Sequence, residues 1–233
     1  MANYLIHTCP KREYFVRTYI IPSMLENGIN EPNISVYNDE NMEGNLESWL
    51  KSCEQLDDEG GTWHLQDDVL IGKDFKQRTE ELDDGIVCGF GSNLYDDINS
   101  VGRRYPQYMW WSFPCIRIPN KLAKECAAWT RRYIIGNPVY EDYWKNGTHD
   151  DWCFKQFLKT KYPTIQILNV VPTLVEHVDW LIGGSTGKTQ RTEACRSLYF
   201  KDDDLVTDLQ IKLRQASSNK VMTIGKTVWS SGG

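Results

Sequence analysis

Tyr4-Leu5-Ile6-His7-Thr8-Cys9-Pro10-Lys11-Arg12 opens the chain with an apolar, strand-forming run, a turn at the proline and then charge. The run reads as a short buried strand, Thr8-Cys9-Pro10 as the turn, and the apolar spacing beyond it as an amphipathic helix over about 11–25. The order then repeats. Ile34 to Tyr37 is a second β-branched run ending in Asn38-Asp39, and Leu46 to Leu56 carries apolar residues at helical spacing. Thr62 to Ile71 reads as one buried strand whose end carries acids, and Ile86-Val87-Cys88, Tyr108 to Ile118 and Ile165 to Val171 as further extended runs. Pro119, as a first-turn residue, opens a helix to about Arg132, and Asp150 opens another to Lys161. Strands alternating with helices predict an α/β fold with helices on both faces of the sheet.

A chain of 233 residues that is 40% apolar and 12% aromatic buries a full core in one domain. Most of its 9 Trp and 12 Tyr belong in that core, but the surplus suits a site that stacks on sugars or bases. A net charge of -6 argues against a surface built to grip a polyanion and leaves room only for a local basic groove. The cysteines are Cys9, Cys53, Cys88, Cys115, Cys126, Cys153 and Cys195, an odd number without a CxxC pair, which reads as reduced intracellular thiols. No stretch approaches the ~20 apolar residues of a membrane span. The expectation is therefore a soluble, cytoplasmic chain, in which the sequons at Asn33 and Asn146 have no meaning. Gly183 to Gln190 is the most flexible segment in composition, and the tail after about Ser217 is polar and loosely held.

Chemistry concentrates in Trp63-His64-Leu65-Gln66-Asp67-Asp68-Val69-Leu70-Ile71. Two adjacent carboxylates in an apolar frame are costly to bury unless a cation compensates them, and Mg²⁺ or Mn²⁺ held by one or two carboxylates plus substrate phosphates is the natural partner. A solvated turn with exposed acids explains the pair equally well. Gly183-Gly184-Ser185-Thr186-Gly187-Lys188-Thr189 fails as a P-loop, because Ile182 stands where the first glycine belongs. A mobile loop whose Lys188, Arg191 and Arg196 neutralise a diphosphate suits it better. Tyr105, Tyr108, Trp110, Trp111 and Phe113 are core by default, although adjacent Trp110 and Trp111 cannot both face inward on one strand.

Four motifs then resemble, in order, the GT-A glycosyltransferases, especially short phage-encoded ones and the Asp-Asp-motif lipopolysaccharide group. They are Gln66-Asp67-Asp68 with Asp74-Phe75, Pro119 opening a helix, Asp150-Asp151-Trp152 opening another, and Val171-Pro172-Thr173-Leu174-Val175-Glu176-His177. The resemblance implies a single GT-A-like domain over 1–200 with a Rossmann-like mixed sheet, and a C-terminal helix and tail over 201–233. It implies a UDP-sugar donor and a Mn²⁺ or Mg²⁺ ion on Asp68 and His177, with Asp67 on the ribose or sugar; the roles of the two aspartates are exchangeable. Gln66 stands where many members carry an acid. One of Asp150 and Asp151 caps its helix and the other, Asp151 by preference, takes the acceptor proton if the sugar is inverted. Thr8, Arg12 and Asp39, at the ends of the first two strands, sit where open α/β sheets bind nucleotides. Among acceptors the resemblance adds hydroxymethylated pyrimidines in phage DNA, with Arg103-Arg104 and Arg131-Arg132 as a backbone patch. A glycan or protein acceptor, or a non-catalytic binding module, is the alternative.

Overall fold

The computed structural model describes residues 2–82, 85–91, 102–106, 113–141, 150–182, 197 and 199–227. β1 (Asn3–Thr8) and β2 (Ile34–Asn38) pair in parallel with Leu5 opposite Ser35, and β3 (Gly61–Gln66) joins the other side of β1 in parallel with Leu5 opposite His64. β5 (Ile86–Cys88), β6 (Gly102–Arg104), β7 (Cys115–Pro119) and β8 (Ile167–Asn169) complete a seven-stranded mixed sheet of order β2-β1-β3-β7-β5-β8-β6. Outside it, β4 (Val69–Ile71) and β9 (Val175–His177) form an antiparallel two-stranded ribbon.

Alternation along β1 and β3 sorts their side chains onto two faces. Tyr4 and Trp63 meet Phe75, at ring-centroid distances of 5.7 and 6.5 Å, and Tyr4 Oη bonds Thr79 Oγ1 at 2.6 Å. Phe75 and Thr79 belong to helix α4 (Phe75–Glu81), which therefore covers this face. The N-terminal helical stretch consists of α1 (Glu13–Phe15), a wider π turn (Val16–Ile20) and α2 (Ile21–Glu26). Pro22 gives the widening a cause, since its ring crowds the carbonyl one turn back. On the opposite face, α3 (Asn45–Glu54), α5 (Asn120–Tyr133) and α6 (Asp150–Lys161) bury Trp49, Leu50, Cys126, Phe154 and Phe157 against Ile116 and Ile118 of β7. Each fully buried side chain of this size stabilises the fold by roughly 1.5–3 kcal/mol. The architecture is α/β, with a mixed sheet flanked by helices on both faces.

Several elements depart from the sequence expectation. Thr62 to Ile71 is two strands, not one: the chain turns at Asp67-Asp68, and β4 leaves the main sheet for the ribbon. Adjacent carboxylates cannot both sit in a buried ladder, so the strand ends where they begin. Pro119 is the last residue of β7, with extended dihedrals (φ -56, ψ 129), and the helix begins at Asn120, whose N–H bonds Gly60 O at 3.1 Å. Neither aspartate of the pair at 150 and 151 stands outside α6; both lie in its first turn, where the helix dipole favours negative charge. Tyr105 is exposed rather than core, whereas Phe113 is buried against Trp49 and Phe154. Tyr108, Trp110 and Trp111 lie outside the described residues.

By internal contacts the chain divides into units Met1–Lys201 and Asp202–Gly233. The second contains helix α8 (Asp203–Thr227), which continues well past Ser217, where sequence composition suggested a loose tail. The short helix α7 spans Asp179–Ile182. No helix among the described residues is long and apolar enough to cross a membrane.

Candidate functional site

β1, β2 and β3 run in one direction, so the loops after Thr8, Asn38 and Gln66 meet at one edge of the sheet. The backbone ties them together: Asp39 N–H donates to Thr8 O at 2.8 Å, and Gln66 N–H donates to Pro114 O at 3.1 Å. The Asp39 carboxylate accepts the backbone N–H groups of Glu43 and Gly44, each at 3.0 Å, and so shapes the loop that leads into α3. Its first task is thus structural, although it also borders the cavity described below.

The ribbon supplies what the parallel strands cannot. Val69 pairs with His177 and Ile71 with Val175, and Val178 N–H donates to Asp68 O at 2.8 Å. His177 is thereby set beside Asp68, with Nε2 3.3 Å from Asp68 Oδ1 and Nδ1 3.5 Å from Asp179 Oδ1. Phe90 packs its ring across His177 at 5.7 Å. Arg78 of α4 holds the approach to β9 by donating to the carbonyls of Pro172 and Thr173. A metal-binding histidine gives one ring nitrogen to the ion and its other N–H to a carboxylate, and Asp179 stands where that orienting carboxylate belongs.

Charge is unevenly compensated around the pair. Burial, and then the negative charge of Asp68, pushes Asp67 up to about 7, while Arg12 and the Thr8 hydroxyl act in the opposite sense. Burial would raise Asp68 too, but His177 and Arg12 outweigh it and hold this carboxyl below its usual range. Arg12 is itself buried, and neither terminal nitrogen of its guanidinium has a hydrogen-bond partner among the described residues. Such a cation carries unused donors suited to a carboxylate or phosphate.

A cavity of about 70 Å³ opens among these loops, bordered by the carboxylates of Asp39, Asp67, Asp68 and Asp150 and by the imidazoles of His7 and His64. Ligand pockets for whole small molecules run to roughly 300–1,000 Å³, so this one admits an ion, waters or one end of a larger ligand. Asp150 is buried at the start of α6; burial and the neighbouring charge of Asp151 push it up to about 7. Asp151 is half-buried, and its Oδ1 accepts the N–H of Trp152 at 2.6 Å. Of the two, Asp150 is the one on the cavity wall.

Two protein atoms shared by one octahedral divalent cation, each about 2.1 Å from it, lie roughly 3 Å apart, which the Asp68–His177 spacing meets. Asp68 Oδ1 is buried without a well-aligned hydrogen bond among the described residues, which leaves it free to ligate a cation. No group of three or more His, Cys, Asp or Glu among the described residues is arranged to hold a metal. The residues present therefore fit a cation that takes two protein ligands and completes its shell with phosphate oxygens and water.

Thr8, Arg12, Asp39, Asp67, Asp68, Asp150 and His177 thus gather at one sheet edge, with Asp151 one residue outside the cavity wall. Lys188, Arg191 and Arg196 lie outside the described residues. Arg131 of the supposed DNA patch is bound to Glu47 and Glu54 of α3, and Arg132 lies over the Tyr133 ring at 5.3 Å. Sequence reasoning missed His64, Asp179 and Ser48 as neighbours of the site. A signal existed for Asp179, two positions after His177, but His64 depends on strand register that no local pattern reveals.

No protein-family model and no curated protein matches the chain. One solved structure that it resembles at a distance is described as a glycosyltransferase involved in the glycosylation of the major capsid of PBCV-1; the identity is 14%, the TM-score 0.36, and the match covers 76% of this chain and 82% of that one.

Proposed function

We propose that the chain is a metal-dependent glycosyltransferase with a GT-A-like domain, moving a sugar from a nucleoside-diphosphate donor, a UDP-sugar, to an acceptor hydroxyl. The observation that carries this reading is the meeting of Asp68 and His177 at 3.3 Å beside the buried guanidinium of Arg12, whose terminal nitrogens have no hydrogen-bond partner among the described residues, at the edge where the parallel strands end. Asp68 and His177 would hold Mn²⁺ or Mg²⁺, which supplies charge neutralisation for the departing diphosphate. Arg12 donates to the same phosphates, and Thr8, Asp39 and Asp67 bind the nucleoside and sugar. Lys188, Arg191 and Arg196 cover the phosphates and exclude water from the activated sugar.

Asp150 takes the proton of the attacking hydroxyl. A carboxylate raised to about 7 is matched to base work near neutral pH, and its place on the cavity wall favours it over Asp151, whose oxygen is engaged by Trp152 N–H. A hydroxymethyl group on a DNA pyrimidine remains a suitable acceptor, reached by flipping the base from its stack. Neither Arg131 nor the acidic balance adds to that choice over a glycan.

The test is release of UDP from UDP-hexoses with Mg²⁺ or Mn²⁺, in the presence of hydroxymethylated DNA or of glycan acceptors. Asp68→Ala is expected to abolish metal-dependent transfer while leaving the unfolding midpoint within a few degrees of the parent. Undiminished transfer by that variant would remove the pair from the mechanism, and donor binding without turnover on any acceptor would leave a binding module.

A further inference from the structure

His7 and His64 stand on adjacent strands, on the face that looks toward α3, and both border the cavity. Their rings stack at 5.2 Å with 16° between planes, and His7 Nε2 lies 3.0 Å from His64 Nδ1. On its other side His7 Nδ1 is 3.4 Å from Ser52 Oγ. The Ser52 hydroxyl proton is already used, since Oγ donates to Trp49 O at 2.8 Å.

That commitment sets the direction of the whole chain. Ser52 Oγ can only accept from His7, so His7 carries its proton on Nδ1. Burial pulls His7 down to about 4, so at neutral pH the ring has one proton and its Nε2 is bare. His64 Nδ1–H must then donate to His7 Nε2. His64 is held neutral by burial first and by His7 second, which leaves its own Nε2 with a lone pair and no hydrogen. This nitrogen belongs to a side chain that is 1% exposed, and it has no hydrogen-bond partner among the described residues.

We propose that the Ser52–His7–His64 relay fixes His64 Nε2 as a hydrogen-bond acceptor at the floor of the cavity, and that it takes a hydroxyl of a bound sugar. An unpaired buried acceptor is costly to leave unmade and discriminates strongly for a ligand that supplies the donor. The rest of the wall is rich in acceptors, with four carboxylates on it. Sugar hydroxyls bring a donor at every position, whereas uracil brings a single N–H between two carbonyls. The choice of a sugar rests on the transfer reading above; the acceptor state of the nitrogen does not. Ser52 and His7 are positioning residues, acting through His64.

Nitrogen NMR of histidine-labelled protein, with the rings assigned through His7→Gln and His64→Gln, reads the relay directly. Before any ligand is added, both rings are expected as the Nδ1–H tautomer. UDP-glucose with Mg²⁺ should then shift the His64 Nε2 signal in the direction of hydrogen-bond acceptance, and UDP alone should not. Ser52→Ala frees His7 to choose either tautomer; it should put a proton on His64 Nε2 in part of the population and weaken UDP-glucose binding about tenfold, with UDP binding unchanged. A protonated Nε2 in the parent protein overturns the relay, whatever the enzyme does. A bare Nε2 unmoved by a UDP-sugar that the protein demonstrably turns over overturns the sugar site and leaves the transfer reading standing. Should no UDP-sugar be turned over, free glucose at millimolar concentration becomes the probe: a shift at Nε2 retains the site without the transfer reading, and silence, or a shift with Mg²⁺ alone, overturns it.

Discussion

Asp150 and the histidine pair are titratable groups displaced in opposite senses by the same cause, removal from water. For Asp150 the consequence is kinetic. A base with its pKa near 7 is competent only when deprotonated, so kcat/KM for sugar transfer should rise with pH through about 7. Asp150→Asn should lower it at least ~100-fold and flatten that limb; a variant that kept both rate and profile would hand the proton to another group. For His7 and His64 the consequence is stability. Both fold with a pKa below the unfolded value near 6.5, His7 at about 4, so the unfolded chain binds more protons between those limits. Their contribution is fully present above about 6.5 and is lost as pH falls toward about 4, at a slope of at most ~1.4 kcal/mol per pH unit for each ring. Urea unfolding measured across that window should show the decline, and His64→Gln should make it shallower. An unchanged slope in the variant would mean that the imidazole is already charged in the folded protein.

Between elements, glycine and arginine set tolerances that can be tested separately. Gly89 follows β5, and a Cβ there would stand 2.8 Å from both Cys115 Sγ and Leu174 Cδ1, side chains with no room to retreat. Gly89→Ala should therefore cost ~1–3 kcal/mol by denaturant unfolding, and a neutral result would mean that β5 and the chain before β9 separate easily. The strand-helix alternation was legible because each element is decided locally, by runs such as Tyr4 to His7 and by apolar spacing such as that of Leu46, Trp49 and Leu50. At Asp67-Asp68 the sequence offered a metal site and a turn equally, and the division of 62–71 into two strands was hidden, because whether β4 continues the sheet depends on β9, which is distant in sequence. For the same reason His177 came into view through a motif, whereas the facing of His64 and His7 required the Leu5–His64 register. The helix opening at Asp150 was legible, but not that its first residue is the one buried on the cavity wall, because that depends on how the helix packs on the sheet.

Over the whole molecule, 32 acidic residues outnumber 26 basic ones, and Arg131 is already occupied in joining α5 to α3. Binding to duplex DNA should accordingly depend only weakly on salt, with a slope of log K against log[salt] shallower than about -3. Filter binding or fluorescence anisotropy over a salt series would measure it, and a slope several times steeper would reveal a basic face. Arg131→Ala should leave that binding unchanged and cost no more than ~1 kcal/mol of stability, its ion pairs being partly exposed. The ribbon of β4 with β9 carries one more consequence, which concerns synthesis. Because it joins Val69 to His177, a chain emerging from the ribosome can finish β1, β2 and β3 and expose its aspartate pair long before the histidine exists. Early in translation such a chain presents an acidic loop and little else, and the pairing of Asp68 with His177 proposed to hold a cation arrives late and at one moment, when the second strand of the ribbon docks.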